Sequence, residues 1–227
     1  MTTTAVDHHH NPHPPSYDPN HVGHHGGRSH SAPGHGEGGP AAKRIIVAYG
    51  FWIFLLSDII MFSGFFAAYA VLEGQTAGGP GPKQLFDIGN VGLETAFLLA
   101  SSFTCGMAGL AAGARHRNAF YLTMAMTLVL GLGFLFLEAR EFAGLVIQGN
   151  GPGRSAFLSS FFALVGCHGV HVSCGCLWLL TMVAQVYAKG FRPDIMRRIL
   201  CFGLFWHALD IIWVALFTVV YLMGVNP

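Results

Sequence analysis

Residues 200–223 read LCFGLFWHALDIIWVALFTVVYLM, an apolar run with His207 and Asp210 near its middle. About 20 helical residues cross the roughly 30 Å hydrocarbon core of a bilayer, so this run is long enough to span one. A carboxylate at the centre of such a span costs at least about 2.5 kcal/mol unless it is neutral, paired or turned toward protein. His207 and Asp210 stand three residues apart and share one helix face. That face is expected to look at other helices, and the rest of the chain can be read as the source of those helices.

Four more apolar runs precede it, at about 45–72, 88–114, 119–147 and 157–187, with the last at about 199–223. Of 227 residues, 52% are apolar and 10% charged, with 30 glycines and 19 phenylalanines, a composition that excludes an ordinary soluble domain. The fold class predicted is all-α, a polytopic membrane protein built as a five-helix transmembrane bundle. The net charge of +1, with basic residues at span ends rather than on one surface, argues against a nucleic-acid partner. Five cysteines lie in or beside the apolar runs with no loop framework to staple, so disulfides are not expected. Cys174 and Cys176 point about 200° apart on a helix and read as small packing residues.

Residues 1–42 hold nine of the 13 histidines among Gly, Pro and Ser, with almost nothing aliphatic. Such a stretch buries too little apolar surface to offset its ordering entropy and reads as a disordered, His-rich cytoplasmic tail ahead of a transmembrane domain at 43–227. The triplet His8–His10 is either part of a solvated tail or a loose zinc or copper binder. The first span is too long for the apolar core of a signal peptide.

Connector charge predicts the topology. EGQTAGGPGPKQ (73–84) and QGNGPGR (148–154) are Gly/Pro loops, whereas RHR (115–117) and KGFRPDIMRR (189–198) are basic. A cytoplasmic amino terminus puts Arg28, Lys43, Arg44, Arg115, Arg117, Lys189, Arg192, Arg197 and Arg198 inside, against Lys83 and Arg154 outside. The carboxyl terminus is then periplasmic.

Polar residues inside the spans are the candidate functional groups: Asp58 in the first, Glu94 in the second, Glu138, Arg140 and Glu141 toward the outer end of the third, His168 and His171 in the fourth, and His207 and Asp210 in the fifth. His168 and His171, spaced i, i+3, can face one neighbour, as haem or copper ligands do in bundles. With His207 the only other histidine at depth, interhelical hydrogen bonding by neutral imidazoles is the simpler expectation. Asp58, Glu94 and Asp210 could relay protons along a continuous polar route. Glu138, Arg140 and Glu141 read as an ion-paired cap at the interface rather than a substrate site. Glycines (106, 109, 113, 131, 133, 166, 169, 175) predict close helix packing, and the aromatic faces FWIF (51–54) and SFF (160–162) predict a protein partner in the membrane.

The segments GFWIFLLSDIIMFSGFFAAYAVL (50–72), ETAFLLASS (94–102), FLEAREF (136–142), FFALVGCHGVHVSCGCLWL (161–179) and FWHALDIIWVALFTVVYLMG (205–224) resemble, in order, the successive helices of subunit III of haem-copper terminal oxidases. The resemblance runs from about residue 44 to the end and is closest to the short, five-helix subunit III of bo-type ubiquinol oxidases, whose His-rich tail and YLMG ending are similar. It implies a non-catalytic accessory subunit of a proton-pumping quinol oxidase in the bacterial inner membrane. It also implies that this chain holds no cofactor, with haem and copper in subunit I, and that its partners are subunit I, subunit II, a small subunit IV and membrane lipids. Glu94, in its ETxxLL setting, matches a buried glutamate of the family, and His168, His171, His207 and Asp210 match its other polar intramembrane positions. In longer relatives two further amino-terminal helices complete a cleft that holds phospholipid. The tail before Arg44 is too polar to supply them, so phospholipid binding here would need another small subunit. Two alternatives stand beside this reading: a cytochrome c oxidase subunit III, with the same fold and another electron donor, and a stand-alone proton or ion transporter, against which the absence of a visible internal repeat argues. A binding module built on the His-rich tail is a third and weaker one.

Overall fold

The computed structural model describes residues 43–81, 85 and 88–225. The His-rich tail, with its expected disorder and metal-binding triplet, and Lys83 lie outside the described residues. Five long helices follow in order: α1 (Lys43–Leu72), α2 (Ile88–Gly113), α3 (Arg117–Ile147), α4 (Ala156–Lys189) and α5 (Pro193–Leu216), the last running on through a π-helical stretch, Phe217–Leu222, into Met223–Val225. Each of the five is long and apolar enough to cross a membrane, and the described residues contain no strand.

The helix ends follow local chemistry. Ser155 caps α4 by accepting the Leu158 N–H at 3.2 Å, and Gly190, with φ of 69°, turns the chain out of it. A β-carbon at Gly190 would sit 2.9 Å from the Arg117 guanidinium, so the turn is closed by a side chain of α3. α5 begins six residues before the apolar run that predicted it. Pro193 occupies its first turn, where a missing N–H costs nothing, and Asp194 follows at the positive end of the helix dipole, ion-paired to Arg197. At one end of the bundle the two Gly/Pro loops meet: Gln75 accepts the Phe157 N–H at 3.3 Å, and Arg154 donates to the Asn150 side chain at 2.8 Å while lying against Gly79.

Helices α2, α3, α4 and α5 close into a ring, with α2 and α3 packed along their length as a hairpin, and α1 lies outside the ring against α4 and α5. The inward seam of α1 comprises Ala48, Phe51, Leu55, Asp58, Phe62, Phe65, Tyr69 and Leu72, an alternation of three and four residues. This is the narrow stripe of a coiled-coil contact, and it leaves Ile45, Tyr49, Ile53, Ile60 and Val71 exposed. At the centre of the ring, the Trp206 indole is held between Gly131 of α3 and Gly175 of α4, where added β-carbons would approach it to 3.1 and 2.9 Å. Its N–H donates to Ser101 Oγ at 3.1 Å, and that of Trp213 to Thr95 Oγ1 at 3.0 Å, which ties α5 to α2. A bond of 2.8 Å between Thr104 and Thr127 ties α2 to α3. Small residues let backbones approach, and hydroxyls supply the interhelical hydrogen bonds that lipid cannot.

Candidate functional site

On α2 the buried positions 91, 94, 98, 101, 105, 108 and 112 recur at helical spacing, and Glu94 is one of them. On α3 the sequence 120, 124, 127, 131, 134, 138 does the same, so Glu138 continues the inward face set by Phe134 and Gly131. Glu94 is 1% exposed and Glu138 5%. The Glu138 carboxylate lies directly on the backbone of Gly169 in α4, where a β-carbon would meet its oxygens at 2.6 and 2.8 Å. With Glu141 one turn further along α3, the three acids fall within electrostatic range of one another. The π-helical stretch of α5 buries two consecutive residues, Val220 and Tyr221, and brings the Tyr221 hydroxyl within range of all three. Among the described residues, one oxygen each of Glu94 and Glu138 has no hydrogen-bond partner. A cleft of about 320 Å³, lined by Asn90, Glu94, Leu137, Arg140, Glu141 and Gln148, reaches this cluster from outside. Such a set of acids around a phenol can hold protons, accept hydrogen bonds or balance a cation.

Two expectations change here. Glu138 is no member of an interfacial cap: it faces α4, whereas Arg140, two residues on and about 200° around the helix, is exposed at the cleft. His168 does not hydrogen-bond between helices. It is wholly buried in an aromatic box, its ring centroid 5.0 Å from Trp213, 5.7 Å from Phe134 and 6.3 Å from Phe62, and neither ring nitrogen has a partner. His171 bonds within its own helix, Nδ1 donating to the Cys167 carbonyl at 2.7 Å. Both imidazoles face the Phe62 ring, which lies 5.3 Å from His171, so the pair does not fit a haem or copper ligand set. No group of three His, Cys, Asp or Glu side chains among the described residues is placed to hold a metal ion.

On α5 the expected contact with another helix is made, but on the outer side of the bundle. Trp206, Leu209 and Trp213 take its inward face, which turns His207 and Asp210 outward into the groove between α5 and α2. His207 is exposed, its Nδ1 2.7 Å from Ser102 Oγ, and Asp210 is half-buried. Asp58, on the α1 seam, lines a separate small cavity with Phe62, His171 and Leu209. The structure thus gathers Glu94, Glu138 and Glu141 in one cluster, with Asp58 at a separate cavity and His207 and Asp210 together in the groove between α5 and α2. Tyr221 and the two indole–hydroxyl bonds were absent from the sequence reading. The spacing of Thr95 and Ser101 opposite Trp213 and Trp206 is the signal that could have shown the latter.

Residues 34–225 match the sequence profile of the family described as cytochrome c oxidase subunit III. The chain belongs to that family. It is 48% identical over 176 residues to the cytochrome bo(3) ubiquinol oxidase subunit 3 of Pseudomonas aeruginosa, covering 78% of this chain and 84% of the relative. To the quinol oxidase subunit 3 of Bacillus spizizenii it is 42% identical over 177 residues, 78% of this chain and 87% of that one. Against the cytochrome c oxidase subunit 3 of Bacillus sp. PS3 the figure is 39% over 175 residues, 77% and 84% of the two chains. It is therefore a multi-pass subunit III of a haem-copper oxidase, a multi-subunit complex of the bacterial inner membrane.

Proposed function

We propose that this subunit III is a non-catalytic brace in a proton-pumping ubiquinol oxidase. It packs against a subunit I that carries the haems and copper, beside subunit II and a small subunit IV. The observation that supports a quinol donor is the gradient among relatives, 48% identity to a subunit named for ubiquinol and 39% to one named for cytochrome c. What supports bracing is the interior, where Trp206, Trp213, Thr104 and Thr127 join helix to helix. Oxygen uptake by the purified oxidase should proceed with ubiquinol and not with reduced cytochrome c. Its initial rate and haem content should survive removal of this subunit, while activity decays faster during sustained turnover because helix surfaces made for protein then meet lipid or detergent. Turnover driven by cytochrome c alone would overturn the donor, and an initial rate lost together with the subunit would overturn the bracing role.

The membrane domain, residues 43–227, is proposed to enter from a cytoplasmic tail of residues 1–42 and to end in the periplasm. Asn150, half of the most natural labelling loop, is buried under Arg154, so exposed Gly153 is the better probe. A cysteine at Gly153 should react with an impermeant reagent from the periplasm and one at Asn118 from the cytoplasm; the opposite pattern inverts the topology.

A further inference from the structure

We propose that the small cavity between α1, α4 and α5 binds a water molecule that joins Asp58 of α1 to His171 of α4 at the middle of the membrane. Neither the electron donor nor the bracing role bears on it. The cavity encloses about 10 Å³, close to the least space that admits one water, and Leu55, Phe62, Phe205 and Leu209 wall it with apolar groups. Asp58 and His171 are its polar lining residues. Each is the sixteenth residue of its helix, about 22 Å from the start, so both stand near mid-membrane.

The roles of the two groups follow from their surroundings. A carbonyl oxygen only accepts, so the contact of 2.7 Å between His171 Nδ1 and the Cys167 carbonyl puts the ring proton on Nδ1. In that neutral tautomer Nε2 is an acceptor, on the far side of the ring from Nδ1. The Asp58 carboxylate falls within electrostatic range of the Cys167 thiol, one turn before His171, so it is turned toward α4. Its oxygens accept as well, and among the described residues neither Asp58 nor His171 Nε2 makes a hydrogen bond or ion pair. Two acceptors cannot bond each other. A water has two O–H groups and can give one to each.

Nothing else near Asp58 offers a donor. Ser57 and Ser63 of α1 donate to the Phe54 and Ile60 carbonyls of their own helix, at 2.6 and 2.7 Å. Hydrocarbon has no donor, and the remaining walls of the cavity are apolar. The position also matters to the fold. α1 stands outside the ring and meets α4 and α5 through a narrow apolar stripe, and a polar contact within such a stripe fixes its register. The bridged pair lies in that stripe, between Leu55 and Phe62, and supplies the contact.

A density map of the whole oxidase, fine enough to show ordered waters, should contain one within about 2.5–3.2 Å of both an Asp58 oxygen and His171 Nε2. A direct bond between the two side chains, or no density between them, overturns the proposal. Asp58→Leu, His171→Leu and the double variant give a second measurement, the temperature at which this subunit leaves the purified oxidase. Each single change strands the other acceptor and should lower that temperature by several degrees. The double variant, with neither acceptor left, should release the subunit no earlier than the worse single variant. Lowering that adds up in the double variant, or no lowering in either single variant, overturns the link.

Discussion

Trp206→Ala should be the most damaging single substitution in the membrane domain, at a cost of about 3–5 kcal/mol, the range for truncating a large buried aromatic. Trp206 is 2% exposed and fills the space between α3 and α4 that Gly131 and Gly175 leave open, so its loss removes contacts on three helices at once. It also leaves Ser101 without the indole N–H. Trp206→Phe should cost less, because most of the ring volume remains and chiefly the hydrogen bond, worth about 1 kcal/mol, is lost. Thermal denaturation of the purified oxidase, read by release of this subunit, should fall by several degrees for Ala and by a small fraction of that for Phe. Equal midpoints for Trp206→Ala and wild type would show that the ring does not hold the helices together.

Gly169→Ala comes next, because its new methyl group would occupy the place of the Glu138 carboxylate. Overpacking of this kind costs about 1–3 kcal/mol where the neighbour cannot withdraw, and Glu138 is enclosed by α3 and α4. The cause can be isolated with a double-mutant cycle. In a Glu138→Ala background the methyl group has room, so the added cost of Gly169→Ala should largely vanish. A penalty that persists undiminished would assign the contact to something other than this carboxylate.

The five spans were legible because length and hydropathy alone decide whether a segment can cross a bilayer. The start of α5 was not, since Pro193, Asp194 and Arg197 are polar text that reads as a connector until the capping chemistry is seen. Depth was legible for Glu94, recognised as an intramembrane acid from its position, but not for Glu138, which read as part of an interfacial cap. That they converge with Glu141 depends on the register between α2 and α3, and that Tyr221 joins them depends on a π-helical stretch with no compositional mark. His168 illustrates the same limit. A polar residue at depth invites a hydrogen bond, but Phe62, Phe134 and Trp213 come from three different helices, and only their assembly makes an aromatic box. His207 and Asp210 were read as facing other helices of the chain; His207 does meet Ser102 of α2, but at an outer groove, because the two tryptophans take the inward face of α5.

A subunit that acts as a brace, as proposed, keeps its buried acids for its architecture and surroundings and does not carry the pump. Glu94→Gln addresses it directly, since glutamine keeps the shape and hydrogen-bonding capacity of the side chain and removes its titrating group. Protons released per electron should be measured in vesicles containing the intact oxidase. The account predicts the wild-type stoichiometry with electron transfer undiminished; a stoichiometry that collapses while electrons continue to reach oxygen would contradict it and make this chain part of the proton path.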